Sequence, residues 1–410
     1  MNAIALTRRG VLSAAAGFGL TLQLAAVPAI AADGDLARRK MIVVICRGGL
    51  DGMSVAIPVG DPDYKALRGD LAMESGALPL DGAFALHPQL GAVHALAKAG
   101  EARIAPAVAT PDRARSHFEA QDVLETGAPG VYATTSGWLN RAVETLSAHR
   151  KIDALSVGAT APLILRGKVQ TASWSPGRTV DTAARLPMLL QDLYRNDPLL
   201  GPALARGLQT EAMAQNVGAM DVGQSTAMAQ SAAGAGPAPQ RQGREAARAL
   251  GVSLAGFMRE PGGPQVAAVS IDGFDSHANQ AGLLNQRLAY LDAVLDGIHS
   301  GMGPEWKNTV VVAATEFGRT ARVNGTGGTD HGTASTALVL GGALKPGGII
   351  GDWPTLKAAA LFENRDVAPT LDMRGLFKGV LADHMAVERA ALDTVVFPDS
   401  AGARPVAGLV

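Results

Sequence analysis

Asp51, Asp272, Asp275, His277, Glu316, Asp330 and His331 are the side chains best suited to chemistry in this sequence, because carboxylates and neutral imidazoles together make up the ligand sets of divalent metals. They sit in short polar strings: Arg47-Gly48-Gly49-Leu50-Asp51-Gly52, Asp272-Gly273-Phe274-Asp275-Ser276-His277, Thr315-Glu316-Phe317-Gly318-Arg319 and Thr329-Asp330-His331-Gly332. Imidazole nitrogen favours Zn²⁺ or Mn²⁺, and a set dominated by oxygen favours Mg²⁺ or Ca²⁺. A fifth string, Pro111-Asp112-Arg113-Ala114-Arg115-Ser116-His117-Phe118-Glu119-Ala120-Gln121-Asp122, adds a hydroxyl and further cations. Arg47, Arg115 or Arg319 could clamp an anion, since a planar guanidinium fits two oxygens at once. Each string also has a plainer reading. Asp-Gly after a strand is commonly a turn, Asp275, Ser276 or Ser116 can cap a helix, and Glu316 with Arg319 can be a salt bridge.

What sets these strings apart is the elements beside them. Met41-Ile42-Val43-Val44-Ile45-Cys46 is a continuous apolar run of the kind buried on both faces of a sheet. Similar runs occupy 104–108, 265–271, 309–314 and 335–340, the first being the weakest because Pro106 cannot donate to a ladder. Helical spacing recurs over Leu90 to Ala99 and Ala281 to Ile298, where Leu284, Leu288, Leu291, Val294, Leu295 and Ile298 form one stripe. Strands alternating with helices predict an α/β fold, a mostly parallel sheet with helices on both faces. In such folds the chemistry lies beyond the carboxyl ends of the strands, where these strings would converge.

Composition narrows the function. The chain has 410 residues, and 36 Lys+Arg against 37 Asp+Glu leave a net charge of −1, which argues against a nucleic-acid partner. The single cysteine, Cys46, excludes an intramolecular disulfide and reads as a core hydrophobe. With 4% aromatics there is no stacking platform pointing to sugars or bases. An oxidoreductase with a dinucleotide is disfavoured because no G-x-G-x-x-G opens a helix after a strand. Residues 1–31 read as a leader: Thr7-Arg8-Arg9-Gly10-Val11-Leu12 resembles a twin-arginine export signal, with cleavage after Ala29-Ile30-Ala31. That predicts passage through the twin-arginine translocase to the periplasm and no membrane span in the mature chain. Residues 32–410 then form one domain, with a low-complexity insertion near 211–242 that could act as a lid.

Cys46-Arg47-Gly48-Gly49-Leu50-Asp51-Gly52, Ser116-His117-Phe118-Glu119-Ala120-Gln121-Asp122, Asp275-Ser276-His277, Thr315-Glu316-Phe317-Gly318-Arg319-Thr320 and Gly328-Thr329-Asp330-His331-Gly332 followed by Gly351-Asp352-Trp353-Pro354 resemble the exported bacterial family called domain of unknown function 1501. That family is similar to the alkaline phosphatase and sulfatase superfamily. The resemblance implies an alkaline-phosphatase-like fold and a divalent metal. It places Asp51 as the first-strand ligand and Ser116 near the nucleophile position at a helix start. Asp272 or Asp275 with His277, and finally His331, would complete the set. The superfamily's Asp-His pair after the 309–314 strand is replaced here by Glu316-Phe317, so one imidazole of a two-metal centre is absent or comes from elsewhere. The implied activity is a metal-dependent hydrolysis of an anionic phosphate or sulfate ester. The rival is a non-catalytic exported binding or assembly protein on the same fold.

Overall fold

The computed structural model describes residues 35–410, apart from 74, 150–151, 158–160, 175–189, 191–193, 195–196, 199 and 217–236. The leader expected over 1–31 and the middle of the 211–242 stretch lie outside the described residues. The chain divides into Met1–Leu36 and Ala37–Val410, and every element named below falls in the second.

β1 (Lys40–Cys46) is buried along its whole length, as its unbroken apolar run requires. Period-two alternation sends Ile42, Val44 and Cys46 into one core and Met41, Val43 and Ile45 into another. Around β1 stand β2 (Ala102–Ala109), β3 (Ala154–Val157), β4 (Ala172–Trp174), β5 (Val266–Ile271), β6 (Thr309–Ala314), β7 (Ser335–Leu340) and β8 (Leu371–Asp372). They form one eight-stranded sheet in the order β8-β2-β7-β6-β1-β5-β3-β4. β1 runs parallel to both neighbours, with Ile42 opposite Ala267 and Val311.

α1 (Gly91–Lys98), α2 (His117–Thr126), α3 (Trp138–Ser147), α4 (Leu200–Asn216), α5 (Pro237–Arg259), α6 (Gln280–Met302) and α7 (Met373–Asp383) are the longer helices. α1, α5 and α6 cover the Ile42 face through residues such as Val93, Leu254 and Leu291. α3 and α7 cover the other through Leu139, Val143, Leu376 and Val380. Among the described residues the result is an α/β fold with a mixed, mostly parallel central sheet flanked by helices, and no helix is long and apolar enough to cross a membrane. The flanks of the 211–242 stretch belong to α4 and α5.

Two departures from a plain parallel sheet matter. β2 keeps Pro106 within the ladder because the pairing with β7 slips between Ser335 and Ala337, a bulge that removes the need for a donor there. β7 itself is antiparallel to both β2 and β6. Its amino end therefore lies at the carboxyl edge of the parallel strands, which carries the 329–334 loop to the same edge as the ends of β1, β2, β5 and β6.

Candidate metal centre

Four loops meet at that edge. The turn after β1 packs against the one after β5: a Cβ on Gly48, whose φ is +115°, would lie 2.5 Å from the Asp275 amide nitrogen. The 325–328 glycine loop serves the same end, since a Cβ on Gly328 would lie 2.3 Å from the carbonyl carbon of His277. The strands β6 and β7 extend into a bridge between Arg319 and His331. From the β2 side, Arg115 takes a φ of 58°, strained for a bulky residue, and its carbonyl accepts a hydrogen bond from His331 Nδ1 at 2.8 Å.

Three imidazoles converge there, and the partner of each Nδ1 decides what its Nε2 can do. Glu316 Oε1 lies 2.9 Å from His117 Nδ1, Asp330 Oδ1 lies 3.2 Å from His277 Nδ1, and the Arg115 carbonyl accepts from His331 Nδ1. An ionised carboxylate or a carbonyl only accepts, so each neutral ring carries its proton on Nδ1 and offers a lone pair at Nε2. Those lone pairs crowd one carboxylate. His277 Nε2 is 3.0 Å from His331 Nε2 and 3.1 Å from Asp275 Oδ1. His331 Nε2 is 3.4 Å from Asp275 Oδ1, and His117 Nε2 is 3.5 Å from Asp275 Oδ2. His117 Nε2 is also buried with no hydrogen-bond partner. Acceptors packed so closely repel unless a metal ion or a ring proton lies between them. Ligands about 2.0–2.1 Å from a tetrahedral ion stand about 3.3–3.4 Å apart, so these separations fit one. His117, Asp275 and His331 thus form a plausible divalent-metal-binding group, with one ligand atom from each lying within 4.8 Å of the others.

The electrostatics agree. Burial pushes the Asp275 carboxyl up, but the Arg319 hydrogen bond and charge, aided by His277 and His117, hold it below the ordinary carboxylate range. Burial likewise works against ionising Glu316, and bonds from His117, Gln121 and Gly48 prevail and lower it. Asp330 is lowered chiefly by its bond from Asn324. The hydrogen bond to Glu316 raises His117, whereas burial lowers His331. Asp275 and His277 remain 44% and 47% exposed, so the cluster opens to solvent on their side.

Residues 68–396 match the family described as "Protein of unknown function (DUF1501)". The chain belongs to the DUF1501 family. No curated protein matches it. Among solved structures it is similar to the phosphonate monoester hydrolase of Agrobacterium radiobacter, at 12% identity and a TM-score of 0.43, over 85% of this chain and 74% of that one. It is similar to the C-terminal periplasmic domain of EcEptC from Escherichia coli in complex with Zn, at 10% identity and 0.37, over 88% and 86%. A third likeness is to the lipoteichoic acid synthase LtaP from Listeria monocytogenes, at 10% identity and 0.40, over 88% and 76%.

Of the residues singled out from sequence, this DUF1501 chain brings Asp275, His277 and His331 together at the cluster. Glu316 and Asp330 stand one layer back, each behind an imidazole. Carboxylates in that position fix ring orientation and raise ligand basicity. Asp51 lies elsewhere: it is 1% exposed, pairs with the buried Arg68, and accepts from Gln280 Nε2 at 2.5 Å and Ser54 Oγ at 2.6 Å. A carboxylate so engaged is not presented to the cluster. Asp272 is exposed and outside the group.

The three arginines expected to clamp a substrate each face protein acceptors instead. Arg47 bonds Gln121 and Glu125, Arg115 bonds Asp366 and Glu363, and Arg319 donates to Asp275 Oδ1 at 2.8 Å and to the Thr329 carbonyl at 2.6 Å. Arg319, fully buried, is a positioning residue for Asp275. Ser116 occupies the N-cap position of α2 without a side-chain capping bond. His117 is the group that sequence reasoning passed over. Its signal was present in the Ser116-His117 pair, but attention to the hydroxyl at a helix start hid the imidazole beside it.

Proposed function

We propose that this DUF1501 chain is an exported, periplasmic, metal-dependent hydrolase of phosphate or sulfate esters. The observation that carries the reading is the convergence of the His117, His277 and His331 Nε2 lone pairs on Asp275. Three imidazoles and one carboxylate favour Zn²⁺ or Mn²⁺ over Mg²⁺ or Ca²⁺. Bound there, such an ion would supply a Lewis acid for the oxygens of an anionic ester. The chain's own groups do the rest. Glu316, Asp330 and the Arg115 carbonyl hold the rings, and Arg319 holds Asp275 ionised. The amino end of α2 presents amides that favour an anion, with the uncapped Ser116 hydroxyl beside them as the candidate nucleophile and water as the other.

Elemental analysis of protein purified without chelators tests the centre, with His331→Ala alongside. Near-stoichiometric metal in the natural chain, lost in the variant and accompanied by loss of activity in an ester screen, is the expected result. Equal metal in both rejects the assignment. One observation favours the second reading, a non-catalytic binding or assembly protein: Arg47, Arg115 and Arg319 are all engaged by protein acceptors. A full metal complement with no turnover on any phosphate or sulfate ester would decide for it.

A further inference from the structure

His87 is a buried imidazole that the metal centre does not use. It follows the short strand Ala85–Leu86, is 2% exposed, and its Nδ1 accepts the Gln89 amide at 3.1 Å. Burial holds the ring uncharged at neutral pH. With Nδ1 an acceptor, its one proton sits on Nε2. Among the described residues no group accepts from that Nε2–H, and the ring lines a cavity of about 210 Å³. The cavity lies between the start of α6 and the segment after Gly69. A buried donor without an acceptor is costly, so His87 selects what enters.

The other lining groups narrow the choice. Gln280 is spent on protein: its Nε2 donates to Asp51 Oδ2 at 2.5 Å and Ser54 Oγ at 3.5 Å, and its Oε1 accepts from Ser276 at 2.8 Å and Thr329 at 2.6 Å. Those bonds also wall the cavity off from the metal cluster, because Ser276 stands between Asp275 and His277 in the chain and Thr329 precedes Asp330. Ser54 Oγ gives its proton to Asp51 Oδ2 at 2.6 Å and keeps lone pairs to accept with. Arg68 pairs with Asp51 and is not on the lining. Asp70, exposed at the open side, is the one charged group there among the described residues. An anion would therefore meet a carboxylate with no cation opposite it. A cation would meet the His87 donor and the positive end of α6. A wholly apolar guest would leave the His87 proton unsatisfied. What fits is a neutral molecule whose groups both accept and donate, with C–H surface for Met73 and Leu284.

We propose that this cavity is a binding site for a small neutral polyol, one of whose hydroxyls accepts from His87 Nε2–H while another donates to Asp70 or Ser54. A cavity of about 150 Å³ holds benzene, so this one admits a polyol of roughly four or five carbons. The site is separate from the metal centre and stands whether or not that centre hydrolyses esters.

Saturation-transfer NMR titration of the full chain with erythritol and xylitol tests the site, with inorganic phosphate as the competing probe. The proteins are the natural chain, His87→Asn, Ala281→Phe and His331→Ala. His87→Asn keeps an acceptor for Gln89 but withdraws the donor from the cavity, whereas Ala281→Phe keeps His87 and fills the space. The two changes sit on different elements, so if one fails to fold the other decides. Saturable binding of a polyol to the natural chain and to His331→Ala is expected, weakened about tenfold or more in the other two variants. Failure of both polyols to bind the natural chain means that water alone satisfies His87, and the proposal falls. It falls equally if binding is unchanged in His87→Asn and Ala281→Phe. Displacement of the polyol by phosphate would make the cavity an anion site. Loss of binding in His331→Ala alone would place the polyol at the metal centre, and either result overturns the assignment.

Discussion

Glu316 stands directly behind a residue of the metal-binding group without belonging to that group. It is buried, its Oε1 holds His117 Nδ1, and the Gly48 amide and Gln121 add bonds at 2.9 and 3.1 Å. Glu316→Gln keeps the shape but removes the charge, and its side-chain NH₂ can face the imidazole. Second-layer changes of this kind typically cost about 10- to 100-fold in metal affinity. Metal titration with a competing chelator should show that loss with His117 and Asp275 unaltered. Wild-type affinity in the variant would mean that His117 needs no carboxylate to aim it. Asp51 illustrates the opposite case. Its place after β1 makes it look like a ligand, but a buried guanidinium neutralises it, and removing either partner of such a pair strands the other charge.

At the scale of elements, a strand direction and a borrowed cap do much of the positioning. The reversal of β7 brings His331 to the working edge of the sheet, and the bridge between Arg319 and His331 ties it there. The N-cap of α1 is Leu90, whose side chain makes no capping bond, and α6 supplies one across the core. Asp292 Oδ1 accepts the amides of Ala92 and Val93, both at 3.1 Å. Replacing a capping carboxylate typically costs about 0.5–2 kcal/mol. Asp292→Ala should therefore lower the urea midpoint by a corresponding amount while leaving metal content intact. An unchanged midpoint would show that water caps α1 equally well.

For the whole molecule, the buried His87 gives the pH dependence a definite sign. Burial pushes its imidazole down to about 4, and its Nδ1 accepts from the Gln89 amide at 3.1 Å. The unfolded chain takes up a proton near the ordinary value of about 6.5, so between there and about pH 4 it binds a proton the folded chain refuses. The contribution of His87 to stability is full above that window and is lost as pH falls through it, by up to about 3 kcal/mol. His87→Asn, which keeps an acceptor for Gln89, should flatten the fall of thermal midpoint between pH 7 and pH 4.5. An identical slope in both proteins would place the sensitivity elsewhere. Export is tested at the same scale. Arg8→Lys with Arg9→Lys should leave the chain in the cytoplasmic fraction, and normal periplasmic recovery would reject the twin-arginine reading.

The sequence by itself determined the α/β alternation, the position of the central strands and the grouping of acids and imidazoles just beyond them. Those features follow from local patterning: a short, β-branched apolar run such as 41–46, stopped by a glycine turn, fits a doubly buried strand, and the polar strings follow where such a strand ends. Which member of each string faces the metal was decided only in three dimensions. Asp51, Glu316 and Asp330 have the same chemistry as Asp275, yet each is claimed by a partner distant in sequence: Arg68, His117 and His277 respectively. The same holds for Arg319, drawn inward by Asp275, and for His117, whose role appears only once Glu316 stands behind its ring. Side-chain type limits what a residue can bind, but the direction of its bond vectors and the charge already beside it are properties of the packed fold.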